Sequence, residues 1–404
     1  MQDTYGELIA SLAKETDTRI VMLVMDGVGD VDNAGKGTAL QQARTPNLDA
    51  LAARSALGLH VPVANAVTPG SGPGHLGLFG YDPLIYQVGR GLLGAMGLEF
   101  PLEKRDVAAR LNFCTLDAAG TVVDRRAGRI GDDVNRRVLQ KIRDNLKCPA
   151  GVQVFFETEA EHRALMVIRG DDLDENAGET DPQALGVPPL SPIRAPHENS
   201  RIAKIVDDVL NQVRKILADE PKANMILARG YAKSPDWPTF AERTKLNPAA
   251  VAGYPMYRGV ARLVGMSVAA TPTTAKDICL EAGKAMANHT FVFAHFKYTD
   301  KTGEDGDLAG KIQRIEEMDA ALPLLLAAKP DVLIITGDHS TPPSLKAHSW
   351  HPVPVLLAGP HLRGGDGNHF DEVTCRSGQI GTIPACHLIA LALAHAGKLE
   401  KFGA

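Results

Sequence analysis

The sequence predicts an α/β protein: a doubly wound, mostly parallel sheet with an inserted α+β domain. Three observations lead there. Apolar runs of strand length stop abruptly on acids, as in "RIVMLVMDGVGD" and "PDVLIITGDHSTP", a pattern expected of strands buried on both faces. Helical patterns separate these runs, and strands alternating with helices argue for parallel pairing. The middle of the chain has a different texture, with strand-like runs following one another around Gly-containing turns, as antiparallel hairpins do.

Taken in order, the first strand is the run Ile20 to Met25, which ends at Asp26-Gly27. "TPNLDALAARSALG" supplies Thr45 as an N-cap, Pro46 in the first turn, Leu48, Leu51 and Ala52 at helical spacing, and Gly58 as the closing residue, completing a strand-loop-helix unit. From about Arg105 to Arg243 the texture changes. "ARLNFCTLDAAGTVVDRRAGRIG" and "VQVFFETEAEHRALMVIRGDDL" read as an antiparallel meander, and the Pro-rich "GETDPQALGVPPLSPIRAPHENS" reads as a long surface loop. In "SRIAKIVDDVLNQVRKILADE" the residues Ile202, Ile205, Val206, Val209, Leu210, Val213 and Ile216 form one apolar stripe, so this helix packs on a core. The expected division is therefore a core of residues 1–105 and 244–404 with an insert of residues 106–243. The core resumes with the apolar run Phe291 to Phe296, the amphipathic "GKIQRIEEMDAALPLLLAA", the strand Val332 to Ile335 and the strand in "HPVPVLLAGP".

With 404 residues, 44% hydrophobic and 23% charged, the chain is long enough for two domains or for one with a large insertion. A formal net charge of −5 offers no broad basic field for nucleic acid or an anionic membrane. An anionic substrate must then be met by a local Arg and Lys cluster. The five cysteines, Cys114, Cys148, Cys279, Cys375 and Cys386, are scattered and lack CxxC spacing; they read as reduced thiols of a cytoplasmic protein. The N-terminal stretch lacks the pattern of a secretory signal, and no run approaches the roughly 18 apolar residues of a membrane span.

Several segments carry hard or borderline donors, or a nucleophile, in loops expected after strands: Asp26, Ser71, Asp300 with Glu304, Asp338 with His339, and His348. Singly, each has a bland reading as a turn acid or a solvated histidine. Jointly they match two divalent cations about 4 Å apart, which need roughly six to eight protein donors mixing carboxylate and imidazole. A serine hydroxyl coordinated to a divalent cation needs no histidine base beside it. Gly70 and Gly72 leave room for a phosphate.

"MDGVGD", "TPNLDALA" and "GDHSTP…AHSWHPVP" resemble the alkaline-phosphatase superfamily. "PGSGPGHLGLFGYDP", "VGRGLLGAMG", "ARLNFCT", "VDRRAGRI", "EHRALMV", "ANMILARG" and "DGDLAGKI" resemble, within it, the archaeal-type cofactor-independent phosphoglycerate mutases. The resemblance spans nearly the whole chain and implies an alkaline-phosphatase-like core, a cytoplasmic isomerase of glycolysis and gluconeogenesis, and a small phosphorylated sugar acid as substrate. It makes Ser71 the nucleophile that becomes phosphoserine. Asp26, Asp338 and His339 become ligands of the metal at Ser71, and Asp300 and His348 ligands of the second. Glu304 stands where the family usually has His in D-x-x-x-H-D-G. As a third ligand of the second metal it favours Mn²⁺ or Mg²⁺, with Zn²⁺ or Co²⁺ as alternatives.

A mutase must also hold its substrate's carboxylate and phosphate, and guanidinium suits both. Arg125, Arg126, Arg129, Arg163 and Arg229 of the insert are the candidates. Lys297 either neutralises phosphoserine or pairs with a nearby acid, while His75, Asp305 and His351 read as supporting or loop residues. Gly72-Pro73-Gly74 replaces the Asp and small pair that commonly follow the nucleophile, and Gln183 stands where a His often follows the Pro of "DP". These departures keep open a metal-dependent phosphomonoesterase or other phosphotransferase on the same scaffold, and a catalytically silent binding protein.

Overall fold

A computed structural model describes residues 2–403. The chain forms β1 (Ile20–Met25) and β2 (Ala56–Val61), then β3 (Asp106–Leu116), β4 (Val122–Asp124), β5 (Gln153–Ala160), β6 (Arg163–Arg169) and β7 (Met225–Lys233). It continues with β8 (Pro248–Ala252), β9 (Ser267–Ala270), β10 (Phe291–Phe296), β11 (Val332–Thr336), β12 (Val353–Ala358) and β13 (Gly381–Pro384). Eight of these strands make one sheet in the order β13-β2-β12-β11-β1-β10-β8-β9. Every neighbour pair in it is parallel except the two made by β12. This is the mostly parallel α/β sheet that the alternating pattern predicts.

β1, β10 and β11 are buried along their whole lengths, which is why their sequences run apolar instead of alternating. The register aligns Met25 with Phe296 and Val24 with Thr336. Asp26, Lys297 and Gly337 therefore leave three adjacent parallel strands at nearly the same level. β12 runs antiparallel to β11, so the connection between them starts and finishes at that same edge. His348 rides on it.

The chain divides into two compact units. One joins the chain up to Gln87 with the chain from Trp237 onward; the other is Val88–Asp236. Both crossings come before the expected ones near Arg105 and Arg243. The helix Arg90–Gly97 packs on β3 and β7, and a Cβ on Gly91 would lie 2.1 Å from Ala108 O, so that segment belongs with the second unit. Arg243 belongs with the first, where its Nη2 donates to Gly80 O at 2.7 Å.

In the second unit β3 pairs with β4, β6 and β7, and β6 with β5, all antiparallel. The helix Arg201–Ile216 buries Ile202, Ile205, Val206, Val209, Leu210 and Val213 against this unit's core, with Ile216 partly buried beside them. Ser200 caps it by accepting from Ala203 N.

Some expectations need correction. The helix Pro46–Ala52 ends before Gly58, and Thr45 stands at its N-cap without a capping hydrogen bond. Gly58 lies inside β2, where a Cβ would meet Ile380 Cβ at 2.5 Å and Gly381 O at 2.7 Å; it serves a close approach and not a helix end. The segment between β6 and Arg201 holds no helix or strand, yet it is not wholly at the surface. Thr180 and Asp181 are buried, Thr180 because its backbone N–H donates to Ala228 O at 2.9 Å and its Oγ1 accepts from Ala228 N at 2.8 Å.

Candidate functional site

Asp26, Asp300, Asp338 and His339 are fully buried and meet at the carboxyl edge of the large sheet, where open α/β folds place their chemistry. Their support is explicit. Asp338 Oδ1 accepts from Gly27 N at 3.0 Å, and Asp26 Oδ2 lies 3.1 Å from His295 Nε2 and 3.3 Å from Lys297 Nζ. Asp300 and Glu304 sit on the helix Tyr298–Asp305 and not in a loop as expected, so one helical turn stacks their carboxylates on one face. Asp300 Oδ2 pairs with Lys297 Nζ.

Ser71 opens the helix Ser71–Leu78, which follows β2. A Cβ on Gly70 would find only Pro73 Cδ at 3.9 Å, whereas one on Gly74 would lie 2.6 Å from Asp338 O. The first glycine keeps space open before the serine; the second lets the helix close on the Asp338 turn. Ser71 Oγ then rests 3.2 Å from His339 Nε2. That nitrogen also lies 3.2 Å from Asp338 Oδ2 and 3.4 Å from Asp26 Oδ1.

On the other side of His339, the ring of His348 stacks at 3.6 Å. His348 Nδ1 meets Pro69 O at 2.9 Å, and since a carbonyl only accepts, Nδ1 carries a proton there and Nε2 is the nitrogen turned toward the acids. His348 Nε2 is 3.5 Å from Asp300 Oδ1 and 3.6 Å from Glu304 Oε1. Glu304 is the most open of the set, its side chain 52% exposed, beside a cavity of about 420 Å³ that Tyr254, His295, Lys297, Tyr298 and Lys301 also line.

Two overlapping groups have donor atoms within 4.8 Å of one another: Asp26, Asp338 and His339, and Asp300, His339 and His348. Asp26 Oδ1 and Asp338 Oδ2 are buried without a hydrogen-bond partner. Leaving carboxylate oxygens so costs several kcal/mol unless a cation meets them. The mixed oxygen and imidazole donors fit divalent cations. Burial opposes charge on Asp338, but the facing His339 and His75 imidazoles and the Gly27 N–H hold its carboxyl well below the usual range. Burial lowers the His339 imidazole below its ordinary value, against upward pulls from Asp338 and Asp26. Burial likewise opposes charge on Lys297, and Asp26 and Asp300 overcome it, holding the ammonium well above an ordinary lysine. Lys297 thus pairs with these two acids.

His295, Tyr257 and Lys311 carried no assignment from sequence, and His75 was read there only as a supporting or loop residue. His295 abuts Asp26 and stacks on Tyr257 at 3.8 Å, while Tyr257 Oη accepts from Lys297 Nζ at 3.0 Å. His75 Nδ1 lies 2.8 Å from Ser71 O and 3.2 Å from Asp338 Oδ2. Lys311, fully buried, donates to the carbonyls of Gly27, Gly29 and Thr341 at 2.9, 3.0 and 2.9 Å. Only a residue's distant contacts distinguish such roles.

Within the Val88–Asp236 unit, Arg125 forms a bidentate pair with Asp181 at 2.9 and 2.8 Å. Arg229 on β7 stands across from Arg110 on β3, a like-charge pairing that is unfavourable in isolation. Burial, and then the charge of Arg90, lower the Arg229 guanidinium below its ordinary value, and Arg110 is lowered by burial with Arg163, Arg229 and Arg90 adding to it. Arg110 Nε and Arg229 Nε are buried without partners. Arg126, Arg129 and Arg163 are exposed around the buried His162, whose imidazole burial and these three charges push down. Arg90 and Arg110 were missed: in "ARLNFCT" an arginine reads as an outward strand residue until its cross-strand partner is known.

A family profile described as the metalloenzyme superfamily matches residues 18–395. The probable 2,3-bisphosphoglycerate-independent phosphoglycerate mutase of Thermus thermophilus is 48% identical over 404 residues, covering 98% of this chain and 99% of its own. The corresponding Aquifex aeolicus protein is 44% identical over 406 residues, covering 98% and 100%. Among solved structures, the cofactor-independent phosphoglycerate mutase of Thermoplasma acidophilum superposes with a TM-score of 0.73 at 28% identity, over 94% of this chain and 100% of that one. A Pyrococcus horikoshii protein does so with a TM-score of 0.79 at 28% identity, over 96% and 99%. Among the described residues no helix is long and apolar enough to cross a membrane. With this fold, this clustering of donors and full-length relatives at such identity, the chain belongs to the 2,3-bisphosphoglycerate-independent phosphoglycerate mutases, a family of isomerases within the metalloenzyme superfamily.

Proposed function

We propose that the chain interconverts 3-phosphoglycerate and 2-phosphoglycerate through a phosphoserine at Ser71, without added bisphosphoglycerate. The observation that carries this reading is Ser71 Oγ, 3.2 Å from His339 Nε2, at the mouth of the group formed by Asp26, Asp338 and His339. Those residues with Ser71 would hold one divalent cation, and Asp300, His348 and Glu304 the other. Such cations, Mn²⁺ or Mg²⁺ with so many oxygen donors, would favour the Ser71 alkoxide and balance charge on the moving phosphoryl group.

The chain's own groups do the rest. Ser71 Oγ loses its proton and bonds to phosphorus as the O3–P bond of 3-phosphoglycerate breaks, and O3 of glycerate takes up a proton. After glycerate turns, its O2 loses a proton and attacks phosphorus, the Oγ–P bond breaks, and Oγ takes up a proton to restore the serine hydroxyl. Lys297 sets a positive charge beside Asp26 and Asp300, where it also attracts phosphoryl oxygens. The Val88–Asp236 unit acts as the substrate-binding domain. Arg126, Arg129, Arg163 and Arg229, joined by Arg90 and Arg110, bind the carboxylate and phosphate, and Arg125 acts through Asp181. A cytoplasmic setting suits the five free cysteines.

The test is incubation of the purified chain with Mn²⁺ and 3-phosphoglycerate, followed by phosphorus NMR. 2-Phosphoglycerate without free phosphate is expected, and Ser71→Ala should abolish it. Free phosphate as the only product would replace this reading with a phosphomonoesterase.

A further inference from the structure

We propose that Thr341 is a positioning residue of the metal centre: its hydroxyl dictates which ring nitrogen of His339 carries the proton and ties that ring to Asp300, so the two donor groups are held as one. The proposal rests on the reading that these groups hold divalent cations.

Thr341 is fully buried. Its Oγ1 lies 2.6 Å from Asp300 Oδ1 and 3.0 Å from His339 Nδ1. A hydroxyl has one hydrogen to give. Asp300, already paired with the Lys297 ammonium through its other oxygen, accepts that hydrogen at Oδ1. The imidazole must then donate from Nδ1, because the threonine oxygen has only lone pairs left to offer. Nε2 is left bare, and Nε2 is the atom facing Ser71 Oγ, Asp338 Oδ2 and Asp26 Oδ1.

The alternative tautomer is attractive in the metal-free protein. A proton on Nε2 would point at those three oxygens and make a hydrogen bond where a cation should be bound. The Thr341 hydroxyl removes that competitor by claiming the proton for Nδ1. At His348 the same task falls to a backbone carbonyl, Pro69 O, which no substitution can delete; at His339 it falls to a side chain.

The surroundings hold Thr341 in this pose. Its N–H donates to Gly29 O at 2.9 Å, and its carbonyl accepts from Lys311 Nζ at 2.9 Å. A Cβ on Gly27 would come within 2.5 Å of Thr341 Oγ1, and one on Gly303 within 2.3 Å of Thr341 O. Three separate segments thus close around this one residue and fix its backbone, with Gly27 packed against the hydroxyl.

The experiment compares the full-length wild type with Thr341→Val, which keeps the shape and loses the hydroxyl, and Thr341→Ser, which keeps the hydroxyl. Each protein is stripped with chelator and titrated with Mn²⁺, free ion being counted by electron paramagnetic resonance; circular dichroism reports folding. Wild type should take up two equivalents, Thr341→Val should bind both at least about tenfold more weakly, and Thr341→Ser should stay close to wild type. Wild-type affinity in folded Thr341→Val overturns the proposal, as does equal weakening in Thr341→Ser, which would trace the effect to packing. No uptake by wild type would remove the metal reading itself and the proposal with it. Should Thr341→Val fail to fold, nitrogen NMR of the histidine rings in metal-free wild type decides, with His339→Gln identifying the signal. A proton on Nδ1 supports the proposal and one on Nε2 overturns it.

Discussion

His60 makes acid sensitivity a quantitative consequence of the fold. It is fully buried on β2, its Nε2 donates to Gly337 O at 2.9 Å, and its Nδ1 has no partner. Burial lowers the imidazole from 6.5 to about 4, against smaller upward pulls from the Gly337 carbonyl and Asp338. The unfolded chain therefore binds the proton more readily, so the contribution is fully present above pH 6.5 and is lost as pH falls through 4. By linkage, moving from pH 7 to pH 5 should cost about 2 kcal/mol of folding stability through this residue. His60→Gln removes the titration while keeping a donor of similar reach. Urea unfolding in EDTA, followed by tryptophan fluorescence, reads the right unit, since Trp237 and Trp350 both belong to it. Wild type should lose about 2 kcal/mol more than His60→Gln between the two pH values. Equal losses would refute the reasoning, showing that the imidazole is hydrated or already charged in the folded state.

Gly74→Ala would force a Cβ to within 2.6 Å of Asp338 O; a loss of about 1–3 kcal/mol and a fall in kcat are expected, and an unchanged melting temperature would remove the close-approach argument. Arg229→Met should raise KM for 3-phosphoglycerate about 10- to 100-fold, the value of a charge-assisted hydrogen bond of roughly 1.5–3 kcal/mol, and steady-state kinetics with unaltered KM would exclude Arg229 from substrate binding. Glu304→Ala should weaken one of two bound Mn²⁺ ions; elemental analysis after dialysis finding both retained at wild-type affinity would take Glu304 off the ligand set.

The framework was legible because β1, β10 and β11 are buried on both faces, which writes their lengths directly into apolar runs. Donor type was legible for a similar reason: Asp26, Asp338 and His339 sit where such runs stop. What could not be read depends on contacts between distant parts of the chain. Gly58 looked like a helix end because Ile380, which forbids it a side chain, lies more than three hundred residues away. Asp300 and Glu304 looked like loop residues because "YTDKTGED" is polar throughout, and its helical path shows only in three dimensions. Thr341 stood in plain view within "GDHSTP", but nothing local ties it to Asp300.

The ammonium of Lys311 occupies a nest of three carbonyl oxygens, the place of a bound monovalent cation, but it is tethered to a helix and cannot diffuse away. The turns it clasps, after β1 and after β11, present Asp26 and Asp338. The scaffold is thus cross-braced before any divalent ion arrives, and little of the ion's binding energy is spent on ordering loops. Chelation should accordingly leave an empty but intact cradle, ready to be reloaded without refolding.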